Sequence, residues 1–459
     1  MTSSNNRRKG MQQTPRTLAV RILDRVEKGA FAQPLLDVGL SRGILTSAQD
    51  QRLLTHLVYG TLRLRGRLDW IIRDVYTGSF DQMEPGIRNI LRVALYQLME
   101  TDRVPAYAAT NEAVEMTKRR YPGRSNLVNA VLRNAVRRMD TIRYPSFDDD
   151  PLSYISTFHS HPLWLVRLWS DEIGIEETRA LCESDNEIPP LAVRVNRLKA
   201  TTADIITEME KSGCTVVPSR YATDGLILSD LPVPIGETTW CQEGMLQIQD
   251  EASQLISSLA DPKPGEAVLD ICAGEGIKTT HLAQMMQNTG RIVAMDISRK
   301  KVESSRELSR RLGAAIIEPV VHDATKPPSR DLWGRFDRVL VDVPCAGLGT
   351  VRRNPEIKWH TTPEDLGAFP TLQREILNRS AAYLKKGGIM VYSTCTIDSA
   401  ENEKVVRKFL LDNSEFELVR PATVSAALVD EAGFFRTFPH RHGTDGFFGA
   451  VLRKKEDSI

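Results

Sequence analysis

The sequence lacks several features that would restrict its class at once. Its six cysteines, at 182, 214, 241, 272, 345 and 395, form no CxxC pair and no Cys/His spacing typical of zinc, so we expect no metal site. A disulfide framework is improbable, because disulfide-dense chains are small and secreted. No uncharged apolar run reaches the ~18 residues that cross a bilayer. The first residues, MTSSNNRRKGMQQTP, lack the apolar core of a signal peptide, so we expect a cytoplasmic protein without a membrane partner.

The chain also has almost no net charge, but its basic and acidic residues are unevenly distributed along the sequence. The 459 residues carry 60 Lys and Arg against 59 Asp and Glu, which gives a formal charge of +1. Residues 1–140 hold 23 basic and 13 acidic side chains, and the remainder is mildly acidic. A basic segment fused to an acidic one indicates a polyanion-binding module, although Arg-rich solvated helix faces give the same excess.

The spacing of apolar residues divides the chain into parts of different fold. Residues 1–14 are polar and are predicted to form a disordered tail, whereas residues 15–140 show helical spacing, which predicts an all-α domain of six or seven helices. Residues 141–160 are rich in acidic residues, Pro and Ser, as is typical of a linker. Two helical stretches, around 162–184 and 202–213, and short strands predict a small α+β connector domain over 161–245.

From residue 246 to residue 459 strand-like runs alternate with helical stretches. The predicted strands lie at 267–271, 291–296, 316–321, 338–343, 389–393 and 447–452, and the predicted helices at 278–287, 299–312, 371–386 and 400–412. This alternation predicts right-handed βαβ units and a Rossmann-like α/β domain with a mostly parallel, doubly wound sheet. In such sheets the ligand lies beyond the carboxyl ends of the strands.

The first candidate site is the glycine-rich turn in VLDICAGEGIKTTHLA, residues 268–283. Gly274 and Gly276 allow a tight turn that approaches a nucleotide closely, but the phosphate-binding spacing GxxxxGK[ST] is absent. Asp296 ends the next predicted strand, where a carboxylate accepts hydrogen bonds from ribose hydroxyls, and Asp323 follows the third. On these residues alone NAD, FAD and S-adenosylmethionine remain candidates.

Two cysteines follow later strands of the same predicted sheet. Cys345 stands in DVPCAGLGT and Cys395 in YSTCTIDSAENE. Both lie in turns after strands, so we favour a chemical role for these two and a packing role for the other four. Asp398 and Glu401 have the spacing of a helix capping box. A thiol just before a helix N-terminus gains thiolate character, so this spacing predicts a nucleophilic sulfur.

The pair DVPC and YSTC resembles the NOL1/NOP2/Sun RNA cytosine-5 methyltransferases, as do LQIQDEASQL, RRNPEIKW and PHRHGTDGFFGAVL. The segments around LVYGTLR and NEAVEM are similar to the NusB RNA-binding domain. The fusion resembles bacterial small-subunit rRNA methyltransferases over residues 15–455. This resemblance implies a NusB-like domain, a connector and a class I methyltransferase domain that uses S-adenosylmethionine. It implies small-subunit rRNA, naked or partly assembled, as the partner of a chain that we expect to be a monomer.

The resemblance also implies the roles of particular residues. It places the cofactor against Cys272, Ala273, Gly274, Glu275, Gly276, Ile277, Lys278, Asp296, Asp323 and Asp342. Cys395 is the implied nucleophile, Cys345 assists release of the adduct, and Asp342 contacts the base. Asp342 does so as a donor to N3 if protonated, or as an acceptor from the exocyclic amine if ionised. Glu275 and Ile277 depart from the family's usual turn, which puts cofactor affinity in question.

The sequence leaves the RNA contacts and several functions open. Arg133, Arg137 and Arg138 are available to the exposed side of the last predicted helix of the basic domain, so we expect them to contact phosphates. The leading hypothesis is methylation of carbon 5 of a cytosine in 16S rRNA. The alternatives are a tRNA or large-subunit rRNA cytosine-5 methyltransferase, a non-catalytic RNA-binding assembly factor, and an enzyme of the DNA cytosine-5 type with Cys345 as nucleophile.

Overall fold

The chain divides into two compact units, which are described separately. In a computed structural model, the described residues are 13–41, 43, 45–100, 105–327 and 330–456. One unit comprises Met1–Asn186 and Asn354–His360, and the other comprises Glu187–Arg353 and Thr361–Ile459. Most of the expected tail, residues 1–12, lies outside the described residues. Among the residues described, no helix has the length and apolar character needed to cross a membrane.

The described residues of the first unit begin with seven helices, which confirms the expected all-α domain. They are α1 (Pro15–Val26), α2 (Ala32–Ser41), α3 (Ala48–Arg63), α4 (Arg65–Val75), α5 (Pro85–Glu100), α6 (Ala106–Arg120) and α7 (Ser125–Arg138). Thr14 caps α1 by accepting a hydrogen bond from the Thr17 amide, and Pro15 occupies the first helical position. The buried Arg92 of α5 pairs with Asp69 at 2.6 Å, so its charge is compensated inside the helical core.

Three more helices complete this part of the unit and correct two expectations. They are α8 (Pro151–Phe158), α9 (Leu163–Ile173) and α10 (Ile175–Ser184). The segment 141–160, expected as a linker, contains α8, which Asp150 caps through the Ser153 amide, and the division between the units falls after Asn186. The stretch 162–184, expected as one helix, is two, because Gly174 has a φ of +84° that no helix accommodates.

The second unit begins with a small antiparallel sheet. Its elements are β1 (Leu191–Val195), α11 (Thr202–Lys211), β2 (Thr215–Pro218), β3 (Gly225–Ser229), α12 (Thr239–Gln242) and β4 (Leu246–Ile248). The strand order is β2-β3-β1-β4, and Ile205 and Met209 of α11 belong to the apolar core on this sheet. The predicted α+β connector is thus present, and its last strand lies beyond the expected boundary at residue 245.

The rest of the second unit contains a large sheet flanked by helices. Its strands are β5 (Ala267–Ile271), β6 (Arg291–Asp296), β7 (Ile317–Val321), β8 (Phe336–Asp342), β9 (Leu384–Thr394), β10 (Phe416–Val419), β11 (Phe435–Arg436) and β12 (Phe448–Lys454). Its helices are α13 (Glu251–Ala260), α14 (Ile277–Met285), α15 (Arg299–Leu312), α17 (Pro363–Ser380), α18 (Glu403–Asp412) and α19 (Pro439–His442); α16 (Ile357–His360) belongs to the first unit.

The strand order of the large sheet is β10-β12-β9-β8-β5-β6-β7, with β11 paired to β12. Strands β5 to β9 run parallel to one another, and β12 pairs antiparallel with β9, β10 and β11. The expected mostly parallel, doubly wound sheet is therefore confirmed. The order reverses at β5, which lies between β6 and β8. Because ligands bind at the carboxyl edge of such a switch point, this edge is where functional residues are expected.

One predicted helix of this domain is displaced. The sequence predicted a helix over 371–386, but α17 runs from Pro363 to Ser380 and β9 begins at Leu384. Thr362 and Asp365 form a reciprocal capping box that starts the helix early. Pro370 lies inside the helix and obscured its first two turns in the sequence.

A short stretch of the RRNPEIKW motif packs within the helical unit. Lys358 of α16 is fully buried there and donates hydrogen bonds to the Arg63 carbonyl at 3.0 Å and to the Asn186 side chain at 3.2 Å. The Trp359 indole donates to the Leu62 carbonyl at 2.8 Å. These contacts make residues 354–360 part of the first unit, although Arg353 before them belongs to the second.

Candidate active site

The glycine-rich turn follows β5 and leads directly into α14. Gly276 has a φ of +84°, and a Cβ placed on it would overlap with Ser305 Oγ, so only glycine fits between the turn and α15. Gly274 has a φ of +60° with open space where its Cβ would be. The Cys272 thiol is largely buried, which raises its pKa to about 12 and keeps it protonated. The side chain of Glu275 is exposed.

Asp296, at the end of β6, closes this turn from the neighbouring strand. Its Oδ2 accepts a hydrogen bond from the Gly274 amide at 3.0 Å, and its Oδ1 accepts one from the Ser298 amide at 2.8 Å. Each carboxylate oxygen retains a second lone pair for a further donor. Asp323, beyond β7, caps its own turn through the Thr325 amide and hydroxyl at 3.0 and 2.7 Å.

Asp342, the last residue of β8, accepts hydrogen bonds on both carboxylate oxygens. Lys278 Nζ lies 2.6 Å from its Oδ2, and the Ser393 hydroxyl donates to its Oδ1 at 2.7 Å. The register of β8 and β9 places Ser393 directly beside Asp342. Burial disfavours the charged form of Lys278, but the Asp342 carboxylate outweighs it and raises the Lys278 pKa. Each oxygen of Asp342 thus has one donor and keeps a second lone pair for a further partner.

The two cysteines meet beyond β8 and β9. Cys345 Sγ lies 3.3 Å from Cys395 Sγ, and the Cys395 amide donates to Cys345 Sγ at 3.4 Å. The Gly349 amide donates to the Cys395 carbonyl at 3.0 Å, which ties the two turns together. The hydrogen bond with Cys395, reinforced by burial, raises the pKa of Cys345 well above its usual value. Cys345 therefore keeps its proton at neutral pH.

The expected capping box after Cys395 does not form. Helix α18 begins at Glu403, eight residues beyond Cys395, and its N-cap Asn402 makes no side-chain capping bond. The field of a helix terminus falls off within its first turn, so it does not reach this thiol. The side chain of Glu401 turns away from the helix and accepts a hydrogen bond from the Ala346 amide at 3.1 Å. Sequence reasoning missed this contact, and the acidic ENE after YSTC was its only signal.

The predicted phosphate-binding arginines lie on α7 and differ in their surroundings. Arg133 and Arg137 are exposed, and Arg137 donates to the Asn134 side chain at 2.9 Å. Arg138 is half-buried and pairs with Asp74 at 2.8 Å. Two of the three guanidinium groups are therefore presented to solvent and the third is engaged within the helical unit.

The turn and its neighbours fit S-adenosylmethionine. Asp296 offers acceptor lone pairs for the ribose hydroxyls, and the open space at Gly274 allows a close approach to the backbone. Lys278, in the first turn of α14, contacts Asp342 at the end of β8, three residues before Cys345. Glu275, a departure from the usual motif, is exposed, so solvent screens its charge.

Comparison with known proteins agrees with this division of the chain. Residues 257–453 match the 16S rRNA methyltransferase RsmB/F family, residues 13–137 the NusB family, and residues 161–235 the ferredoxin-like domain of RsmF/B-like methyltransferases. The probable ribosomal RNA small subunit methyltransferase B of Bacillus subtilis is 36% identical over 447 residues, which are 96% of this chain and 98% of that protein.

Two solved structures from Pyrococcus horikoshii share the fold of about two thirds of the chain. A methyltransferase homolog protein is 29% identical and covers 66% of this chain and 99% of its own, with a TM-score of 0.58. NSun6, solved with SFG, is 23% identical and covers 64% and 99%, with a TM-score of 0.58. With its three matching domains and its similarity to the Bacillus protein over nearly the whole length, the chain belongs to the ribosomal RNA small subunit methyltransferase B family.

Proposed function

We propose that this protein transfers a methyl group from S-adenosylmethionine to carbon 5 of a cytosine in small-subunit rRNA, through a covalent bond between Cys395 and carbon 6. The observation that carries the proposal is the 3.3 Å contact between the Cys345 and Cys395 sulfurs, in the turns that follow β8 and β9. Family membership supports rRNA as the substrate. The site chemistry supports cytosine as the base.

Carbon 5 of cytosine is too weak a nucleophile to take a methyl group directly. Addition of the Cys395 thiolate to carbon 6 makes carbon 5 nucleophilic and so divides one difficult step into easier ones. S-adenosylmethionine, when bound, supplies an electrophilic methyl group. Asp342, with Lys278 and Ser393 donating to its two oxygens, accepts a hydrogen bond from the exocyclic amine of cytosine. Uracil has a carbonyl at that position, so the same carboxylate would repel it.

Cys345 is suited to the last step. After the methyl group is on carbon 5, a water molecule takes the carbon-5 proton. The electron pair of that C–H bond re-forms the double bond between carbons 5 and 6 as the bond from carbon 6 to Cys395 breaks, which restores the aromatic ring. A protonated thiol 3.3 Å from the departing sulfur can donate its proton there.

The target base has to leave its stack to reach the two thiols at the edge of a sheet, so an unpaired or loop cytosine is the expected substrate. The basic NusB-family domain supplies contacts to phosphates, which give affinity without reading sequence. Arg133 and Arg137 are its exposed candidates for that role.

The experiment uses the full chain, labelled S-adenosylmethionine and small-subunit rRNA. Cys395→Ala is expected to abolish methylation, and Cys345→Ala to leave a protein–RNA adduct that survives a denaturing gel. The reverse pattern would overturn the assigned roles. Transfer of the labelled methyl group to tRNA or large-subunit rRNA instead would overturn small-subunit rRNA as the substrate. If the chain binds RNA but titration calorimetry detects no binding of S-adenosylmethionine, the protein is an assembly factor. Mapping of the methylated nucleotide in wild-type and deletion strains identifies the target.

A further inference from the structure

Glu401 and Gln373 form a buried polar clamp around Cys345. Glu401 Oε2 accepts a hydrogen bond from the Ala346 amide at 3.1 Å and another from Gln373 Nε2 at 2.7 Å. Gln373 Nε2 donates its other proton to the Pro344 carbonyl at 3.0 Å. The residue before Cys345 and the residue after it are therefore both held by one pair of side chains.

Burying these two polar side chains is costly, and stability does not explain why they are there. Glu401 and Gln373 are both fully buried, and a buried carboxylate destabilises a fold unless donors compensate it. Burial raises the pKa of Glu401 to about 7 even with these donors in place. An apolar pair would fill the same space without this penalty, so stability alone does not account for these two residues.

Glu401 is also fixed to the strand that ends at the other thiol. The Tyr392 hydroxyl donates to the Glu401 carbonyl at 2.5 Å. The neighbouring Asn402 donates to the Thr396 carbonyl at 3.0 Å and accepts from the Thr394 hydroxyl at 2.5 Å. Because Thr394 and Thr396 flank Cys395, the backbone of Glu401 is anchored beside one cysteine while its carboxylate holds the turn of the other.

We propose that Glu401, with Gln373, is a positioning residue that holds the Cys345 thiol against Cys395 and thereby sets the rate at which the RNA adduct is released. The inference rests on the proposed function, in which Cys345 acts in release. The hydrogen bonds of the clamp go to the Cys345 turn and not to the side chains of Cys395 or Asp342, so the clamp governs the release step and leaves adduct formation and methyl transfer largely intact.

The test compares variants in single-turnover reactions with small-subunit rRNA and labelled S-adenosylmethionine, and follows the adduct on denaturing gels. Glu401→Leu is expected to slow adduct release at least tenfold, with methyl transfer within about threefold of wild type. Glu401→Gln keeps an oxygen that accepts from the Ala346 amide, so it is expected to restore most of the release rate. Glu403→Leu is the matched control: it removes a carboxylate two residues away whose partner is Arg436, at 2.7 Å, and it is expected to release adduct normally.

The outcomes separate the clamp from the proposed function. If Cys345→Ala accumulates adduct and Glu401→Leu does not, the clamp is overturned and the roles of the thiols stand. If Cys345→Ala gives no adduct, the proposed roles fail, and the clamp has no release step to govern. If Glu401→Leu does not fold, Gln373→Met decides, because it removes the donors to Pro344 and Glu401 from a different helix; rapid release in this variant would also overturn the proposal.

Discussion

The ammonium group of Lys278 lies 2.6 Å from the carboxylate of Asp342 and joins the glycine-rich turn to the end of β8. Lys278 stands in the first turn of α14 and Asp342 is the last residue of β8, so one ion pair connects the helix after the glycine-rich turn with the end of a neighbouring strand. Lys278 also lies over the Phe447 ring at 5.2 Å, which restricts its position further. The role that we propose for Asp342, as acceptor from the cytosine amine, therefore depends on a residue from another element.

Removal of this ammonium group should impair catalysis more than folding. Lys278→Met keeps the length of the side chain but leaves Asp342 without its charged donor, so we expect the methylation rate to fall by about 100-fold, the scale of losing one preorganised polar contact. Single-turnover methylation measures it. Lys408→Met, which removes an exposed lysine paired with Asp412, is the control and should retain full activity. Equal rates for the two variants would contradict the role of Lys278.

Gly276→Ala should destabilise the second unit and weaken binding of S-adenosylmethionine. The φ of +84° and the approach to Ser305 together cost about 2–4 kcal/mol. Gly265→Ala is a matched control, because its φ is +87° but nothing lies within 4 Å of an added Cβ, so only the strain of about 1 kcal/mol remains. Urea denaturation and titration calorimetry measure the two effects; similar losses in both variants would show that the contact with Ser305 is unimportant.

Asp270, under the glycine-rich turn, should make stability depend on pH. Burial raises its pKa to about 7, although the Thr279 hydroxyl donates to Oδ2 at 2.6 Å. The unfolded chain loses this proton near pH 4 and the folded chain near pH 7, so its contribution to the unfolding free energy falls as pH rises between these values and is constant above them. The effect is on the order of 2–4 kcal/mol. Asp270→Asn should reduce the slope in urea denaturation series but not abolish it, because burial also raises the pKa of Glu401 to about 7. An unchanged slope would show that Asp270 does not contribute.

Neutralising the exposed arginines of α7 should weaken RNA binding. Arg133→Gln with Arg137→Gln is expected to lower affinity and to reduce the slope of log affinity against log salt by about 0.7–0.9 for each phosphate that is no longer neutralised. Arg138→Gln is expected to do less, because Arg138 is engaged by Asp74. Arg73→Gln, which removes an arginine paired with Asp81, serves as the control in the same filter-binding series. Unchanged binding would mean that the arginines of α7 are an ordinary water-exposed surface and do not contact RNA.

Local patterns predicted most of the fold. The bounds of β5 and β6 and of helix α15 agree residue for residue with the expectations, because a continuous, mostly apolar run or a cap at Ser298 defines them within the segment itself. The errors occur where a boundary depends on a single residue outside the apolar pattern. Thr362 starts α17 early, and Gly174 divides a helix that looked continuous.

The residue types at the edge of the sheet follow from the amino-acid sequence alone: the glycines of the turn, the aspartates that end strands and the two cysteines. Which side chains contact these residues depends on the tertiary structure. The contacts of Lys278 with Asp342 and of Glu401 with the Cys345 turn join residues 64 and 55 positions apart. Residues 354–360 likewise pack with helices about 300 positions earlier. Hydrophobic periodicity describes a single element, whereas hydrogen bonds between distant elements depend on where strand order and register bring them, so the pattern could not predict these contacts.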